Sequence, residues 1–215
     1  MKSTLINMVA VLFSITLIAS AGVGAVNMIT EAPIAAAKAA ATEAALGVVL
    51  PAFDQTEVAE QTIDEMPIKV YTATKEGQTV GYAVETMTKS GFSGVVKLMV
   101  GFLPDGTINN VNVLQQAETP GLGTKMCDEG NPLLAGVKGQ EATGTFRVKK
   151  DGGEVDALTA ATISSRAYLD AVNRACVAMM NVTGQEAPDM VSGATTVAEN
   201  AEQTEPAAQE GGQNE

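Results

Sequence analysis

The hydrophobic pattern changes character as the chain proceeds. From Leu5 to Val26 it is unbroken, 22 residues without a charge reading LINMVAVLFSITLIASAGVGAV. At ~1.5 Å per helical residue this spans the roughly 30 Å hydrocarbon layer of a bilayer. Lys2 precedes the stretch and Glu31 is the first charge after it. The positive-inside rule then predicts a cytoplasmic N-terminus over residues 1–4, a transmembrane anchor over 5–26 and the remainder outside the cytoplasm. Ala19-Ser20-Ala21 also suits a signal peptidase, so a cleaved signal is the competing reading. The length of the stretch favours an anchor that is retained.

An Ala-rich segment from Glu31 to Leu50 follows, with high helix propensity, and Pro51 ends it. It belongs to a helical connector expected over 27–66. Beyond it the period falls to that of strands. Ile68–Thr74 and Thr79–Met87 form the arms of a hairpin around Gly77. Gly94–Phe102 and Thr107–Leu114 flank Pro104-Asp105-Gly106, where Pro fixes φ and Gly accepts a positive φ. Thr143–Lys149 reads as one more strand before Asp151-Gly152-Gly153.

From Ile163 the period becomes helical, with apolar residues at Tyr168, Val172, Ala175, Cys176 and Met179, and Gly184 is the stop. Strands first and one long helix afterwards predict an α+β domain over 67–183, an antiparallel sheet with packed helices. The tail over 184–215 holds seven acidic residues and no basic one. It carries too little apolar surface to offset the ordering of its backbone, and is expected to be disordered.

Composition removes several function classes. A net charge of -12 and an aromatic content of 4% without Trp argue against nucleic-acid binding. The absence of His excludes a Ser-His-Asp triad, a His-ligated haem and the usual zinc sites. Two cysteines, Cys127 and Cys176, are too few to hold an iron–sulfur cluster alone. Whether they pair is left open, although Cys176 on the apolar helix face reads as a small buried hydrophobe. Electron transfer here would need an organic cofactor.

Two segments carry candidate chemistry. The first is Glu118-Thr119-Pro120-Gly121-Leu122-Gly123-Thr124-Lys125. Taken alone it is a Pro-Gly turn with a second bend. Its two glycines would also let the backbone approach a planar or phosphorylated ligand, with Lys125 and nearby N–H groups meeting anionic oxygens. The second is Asp156-Ala157-Leu158-Thr159-Ala160-Ala161-Thr162-Ile163-Ser164-Ser165-Arg166. Thr162, Ser164 and Ser165 are reasonable N-caps. The same helix start can hold a phosphate, and the small Ala160 and Ala161 leave the Thr162 hydroxyl open.

Together these segments resemble the FMN-binding domain of the G subunit of the Rnf electron-transport complex and the C subunit of the sodium-pumping NADH:quinone reductase. That family pairs an ETPGLG loop with a later D-x-x-[ST]-[GA]-A-T motif and a helix beginning near SSRA. Here they stand as ETPGLGT at 118–124 and DALTAATISSRAYLDAVN at 156–173. The runs VGYAVET and GFSGVVKLMV, the PDGTI turn and the apolar N-terminal stretch are also similar to the family, and the likeness covers roughly residues 1–180.

The resemblance implies a cofactor, FMN, joined through its phosphate to Thr162 as a phosphodiester by a separate flavin transferase that takes it from FAD. It implies cofactor contacts from Glu118, Thr119, Gly121, Leu122, Gly123 and Lys125, and from the motif residues Asp156, Thr159, Ala160, Ala161, Ser164 and Ser165. Ala160 departs from the family's more common Gly. The resemblance further implies a one-electron relay, one component of a membrane complex coupling ferredoxin–NAD electron transfer to Na⁺ or H⁺ transport. A membrane-tethered redox sensor and a flavin-silent assembly subunit are the alternatives. A second copy of the motif, Asp189-Met190-Val191-Ser192-Gly193-Ala194-Thr195-Thr196, lies in the tail. It has no amphipathic helix after it and no partner loop, so labelling is expected at Thr162 rather than Thr195.

Overall fold

A computed structural model describes residues 5–185. The tail beyond them and its second motif copy lie outside the described residues. The chain divides into two units, 1–44 and 45–215.

The first unit is helical. α1 (Leu5–Val49) is one continuous helix and takes Pro33 into its interior, so the apolar stretch expected as an anchor and the Ala-rich segment are not separate elements. Its apolar window has mean hydropathy 2.2, long and apolar enough to cross a membrane, and none of it is buried.

The second unit is a five-stranded antiparallel meander of sequential order, β1 (Gln55–Ile63), β2 (Met66–Lys75), β3 (Gln78–Thr88), β4 (Val96–Phe102) and β5 (Ile108–Gln115). The last four correspond to the expected strands. Gly77 turns β2 into β3 at φ 78°, and Gly106 closes the β4–β5 turn at φ 87°. β1 is a correction, because residues 51–66 were expected inside the helical connector. QTEVAEQTI is mostly exposed on both faces, as an edge strand can be, and so lacks the alternation that marks a half-buried strand. Its turn into β2 is built from Asp64 and Glu65 at positive φ, without the usual Gly or Asn signal.

Alternation along the strands serves two cores. Val70, Val84, Leu98, Val100 and Phe102 face α3 (Thr162–Thr183). Tyr71, Ala73, Ala83 and Met99 face Leu46, Val49 and Leu50, the last turn of α1 and its exit. Gly101 permits that crossing, since a Cβ there would lie 2.1 Å from the Val49 carbonyl oxygen. Asn109 Nδ2 donates to the same carbonyl at 2.8 Å and Asn110 Nδ2 to that of Val48 at 3.1 Å, capping the helix end. Burial and the neighbouring Glu85 carboxylate push the Tyr71 hydroxyl up to about 12.

Between β5 and α3 the chain wraps the outer side of α3, with a 3-10 turn at 123–127, the short α2 (Pro132–Val137) and a second 3-10 turn at 149–151. α3 is therefore covered all round, and every residue from Ala167 to Met180 is buried, Asp170, Asn173 and Arg174 included. This wrapping corrects the expected strand at Thr143–Lys149. Its backbone finds partners other than the sheet: Asn173 accepts from Phe146 N–H at 2.8 Å and donates to the Phe146 carbonyl at 3.0 Å, while Val148 makes a lone parallel bridge to Val155.

Cys176 is fully buried, its thiol pushed up to about 12 by burial, and Cys127 is exposed; both are free.

Candidate functional site

The chemistry-bearing segments meet at the start of α3. The helix opens at Thr162, with Ala161 in the N-cap position and no side-chain cap. Its leading N–H groups are thus free for a ligand. The serines expected as caps have other work. Ser165 Oγ accepts from Leu158 N–H at 2.9 Å and donates to the Ala161 carbonyl at 2.8 Å, locking the chain that enters the helix. The Ser164 hydroxyl donates to Glu118 Oε2 in a short hydrogen bond. Glu118, only 4% exposed, also accepts from Ser93 N–H at 3.1 Å. One buried carboxylate thereby ties the glycine loop, the segment before β4 and the helix start together.

Gly123 makes that closeness possible. A Cβ there would sit 2.6 Å from Ser164 Oγ and 2.7 Å from Glu118 Cβ. Gly121 serves the turn instead, at φ 75°, with its N–H donated to Thr124 Oγ1 at 2.9 Å.

What results is a cleft of about 320 Å³ lined by Phe92, Thr119, Leu122, Gly123, Ala160, Ala161, Thr162, Ile163 and Ser164. Its apolar rim is unusually open, with Phe92 64%, Leu122 39% and Ile163 48% exposed. The sequence motifs supplied seven of these nine residues. Phe92 and Ile163 were missed as site residues. An aromatic between glycines, Gly91-Phe92-Ser93-Gly94, was the available signal for the first, and Ile163 was read only as the start of the helical period.

The remaining candidates stand off the cleft wall. Lys125 is exposed in the 123–127 turn, and Thr159 is exposed just before Ala160. Asp156 pairs at the surface with Lys149 Nζ at 2.8 Å.

Ala160 holds φ at 60°, a left-handed conformation that costs a residue with a Cβ about 1–2 kcal/mol. Gly would adopt it freely but would loosen the unfolded chain by roughly 0.5–1 kcal/mol. Ala160→Gly is therefore expected to stabilise the protein by about 0.5–1 kcal/mol, raising Tm by around 2 °C. A thermal melt that shows a lowered Tm would contradict the strain argument.

A second cluster frames Thr162. Arg166 donates through Nε and Nη2 to the two Asp151 oxygens at 2.7 and 2.6 Å, fixing the 149–151 turn against α3. This pairing holds the Asp151 carboxyl below its ordinary value. The turn brings Lys150 Nζ to 3.2 Å from Thr162 Oγ1.

Residues 91–177 match the FMN-binding domain family. The G subunit of the ion-translocating oxidoreductase complex of Vibrio cholerae serotype O1 is 40% identical over 113 residues, 51% of this chain and 54% of that protein. The corresponding G subunit of Shewanella loihica is 41% identical over 116 residues, 52% of this chain and 54% of that protein, and that of Pasteurella multocida 36% over 130 residues, 59% and 62%. The matched part spans little more than half the length of these relatives. Residues 91–177 contain the whole cleft, both loops and α3 as far as Val177. Over residues 91–177 the chain is similar to the FMN-binding domain family and to the G subunits of ion-translocating oxidoreductase complexes.

Proposed function

We propose that the chain is a membrane-tethered electron carrier that holds FMN covalently on Thr162 and works as one component of an ion-translocating oxidoreductase complex. The observation that carries this reading is the cleft itself: the ETPGLG loop and the start of α3, distant in sequence, form one apolar recess with a hydroxyl at its edge.

The residues present suit the cofactor. The uncapped first turn of α3 offers N–H groups and the positive end of a helix dipole to a phosphate on Thr162 Oγ. Phe92, Leu122 and Ile163 offer an apolar, partly open wall to a flat ring. Glu118 acts as a positioning residue, holding the loop closed from below. FMN supplies one- and two-electron redox chemistry, and the protein supplies attachment, orientation and a sheltered face.

Attachment is redox-neutral. The Thr162 oxygen bonds to the phosphorus of the FMN half of FAD, and the pyrophosphate bond to that phosphorus breaks. AMP leaves with the bonding electrons, and the hydroxyl proton passes to a base of the flavin transferase. A tethered flavin suits a domain outside the cytoplasm, where a dissociated cofactor would be lost. The charge asymmetry of Lys2 against Glu31 supports that side for the domain.

The test is flavin fluorescence of the denatured polypeptide on a gel, run on carbonate-washed membranes from cells that also make a flavin transferase. A fluorescent band in the membrane pellet is expected. A band confined to the wash would remove the anchor, and a dark band of the right mass would leave an assembly subunit.

A further inference from the structure

The placement of Lys150 is explained neither by the sequence motifs nor by the wall of the cleft. Both of its charged neighbours along the chain are committed elsewhere. Lys149 pairs with Asp156 at 2.8 Å, and both Asp151 oxygens are taken by Arg166. Among the described residues no carboxylate lies within ion-pair distance of Lys150. Its ammonium instead donates to a neutral oxygen, the Thr162 hydroxyl, at 3.2 Å. In a chain of net charge -12, this lysine lies near Asp151, whose oxygens Arg166 holds, yet it makes no ion pair of its own among the described residues.

The placement is also built rather than incidental. Arg166 lies one helical turn beyond Thr162 on α3 and clamps the turn bearing Lys150 through its bidentate pair. The helix that presents the hydroxyl therefore also positions the amine. The backbone of that turn is closed by Gly152 at φ 80° and by Gly153, where a Cβ would lie 2.1 Å from the Arg147 carbonyl oxygen.

We propose that Lys150 is the counter-charge of the phosphodiester carried on Thr162 and would hold one of its non-bridging phosphate oxygens. The proposal rests on Thr162 being the attachment point. A phosphate one bond beyond Oγ1 falls within reach of an amine already bonded to that oxygen. It converts a hydrogen bond between neutral and charged partners into a fully charge-assisted one.

The experiment uses the full chain made together with a flavin transferase and purified in detergent, as wild type, Lys150→Gln and Lys150→Arg. Peptide mass spectrometry follows flavin on the Thr162 peptide at limiting transferase, and phosphorus NMR reports the environment of the attached phosphate. Lys150→Gln is expected to label about tenfold more slowly and, once labelled, to show a shifted phosphorus resonance. Lys150→Arg should restore both, and all three proteins should melt together because Lys150 is exposed. A Gln variant that takes no flavin while the Arg variant does also supports the assignment.

An unchanged phosphorus resonance in labelled Lys150→Gln overturns it, whatever the labelling rate, because the phosphate then does not feel the amine. A wild-type Thr162 peptide without flavin sinks the attachment reading and this assignment with it. A labelled wild type indistinguishable from Lys150→Gln sinks this assignment alone.

Discussion

Thr162→Ala is expected to remove covalent flavin from the protein completely, whereas Thr195→Ala leaves most of it in place. Both threonines satisfy the short motif, and Thr195 sits in the copy with Gly at the position where the first copy has Ala160. The difference lies in surroundings. Thr162 opens a 22-residue helix, stands at the edge of the cleft and lies opposite the ETPGLG loop. A flavin joined there can place its ring against Phe92 and Leu122 and its phosphate on the helix start. Thr162→Ser keeps the oxygen and removes only a methyl, so it should retain labelling. Peptide mass spectrometry of protein made with a flavin transferase reads all three variants. Strong flavin on the 189–196 peptide with none on 156–166 would reverse the assignment, and would mean that the transferase reads letters without regard to the fold around them.

Much of this site was legible before the structure because its two halves are local. A glycine loop and a helix start each announce themselves over a few residues, and their turn chemistry is carried by Gly121, Gly123 and the small Ala160 and Ala161. The four central strands were legible for the same reason, each bounded by a turn with a stated backbone requirement. What was illegible depends on contacts across the fold. β1 shows no alternation because neither of its faces is well buried. Thr143–Lys149 has strand composition, but its backbone is satisfied by the Asn173 amide and the 148/155 bridge. Lys150 gains its meaning only when Arg166 draws its turn onto α3. The helical period marks one apolar face of α3 and gives no sign that Asp170, Asn173 and Arg174 are buried too, the first and last against the end of β3 and Asn173 against Phe146.

The buried Asp170–Arg174 pair gives the largest stability effect we expect. Asp170 and Arg174 are 2% and 4% exposed. Asp170 Oδ2 accepts from Thr88 Oγ1 at 2.6 Å and from Arg174 Nη1 at 3.2 Å, and Nη1 also donates to the Met87 carbonyl at 2.9 Å. Arg174 Nε has no partner. The remaining acidic neighbour, Asp64, is 3.4 Å away with a side chain 53% exposed. Asp170→Ala therefore strands a guanidinium in the core and takes away the acceptor of the Thr88 hydroxyl proton, a loss of about 3–5 kcal/mol. Against a total stability of about 5–15 kcal/mol, that removes a large share of the fold. Tm of the full chain in detergent should fall by about 10 °C. The double change Asp170→Leu with Arg174→Met replaces both charges by apolar groups and should recover most of the loss. Melting of the singles and the double closes the cycle. A drop under about 2 °C for Asp170→Ala would mean that the pair is not what fastens α3 to the sheet. The same variant bears on the site, since α3 presents Thr162. Flavin labelling that falls with the fold of Asp170→Ala would show that attachment needs the assembled cleft, and labelling that survives unfolding would show that the transferase needs only the motif.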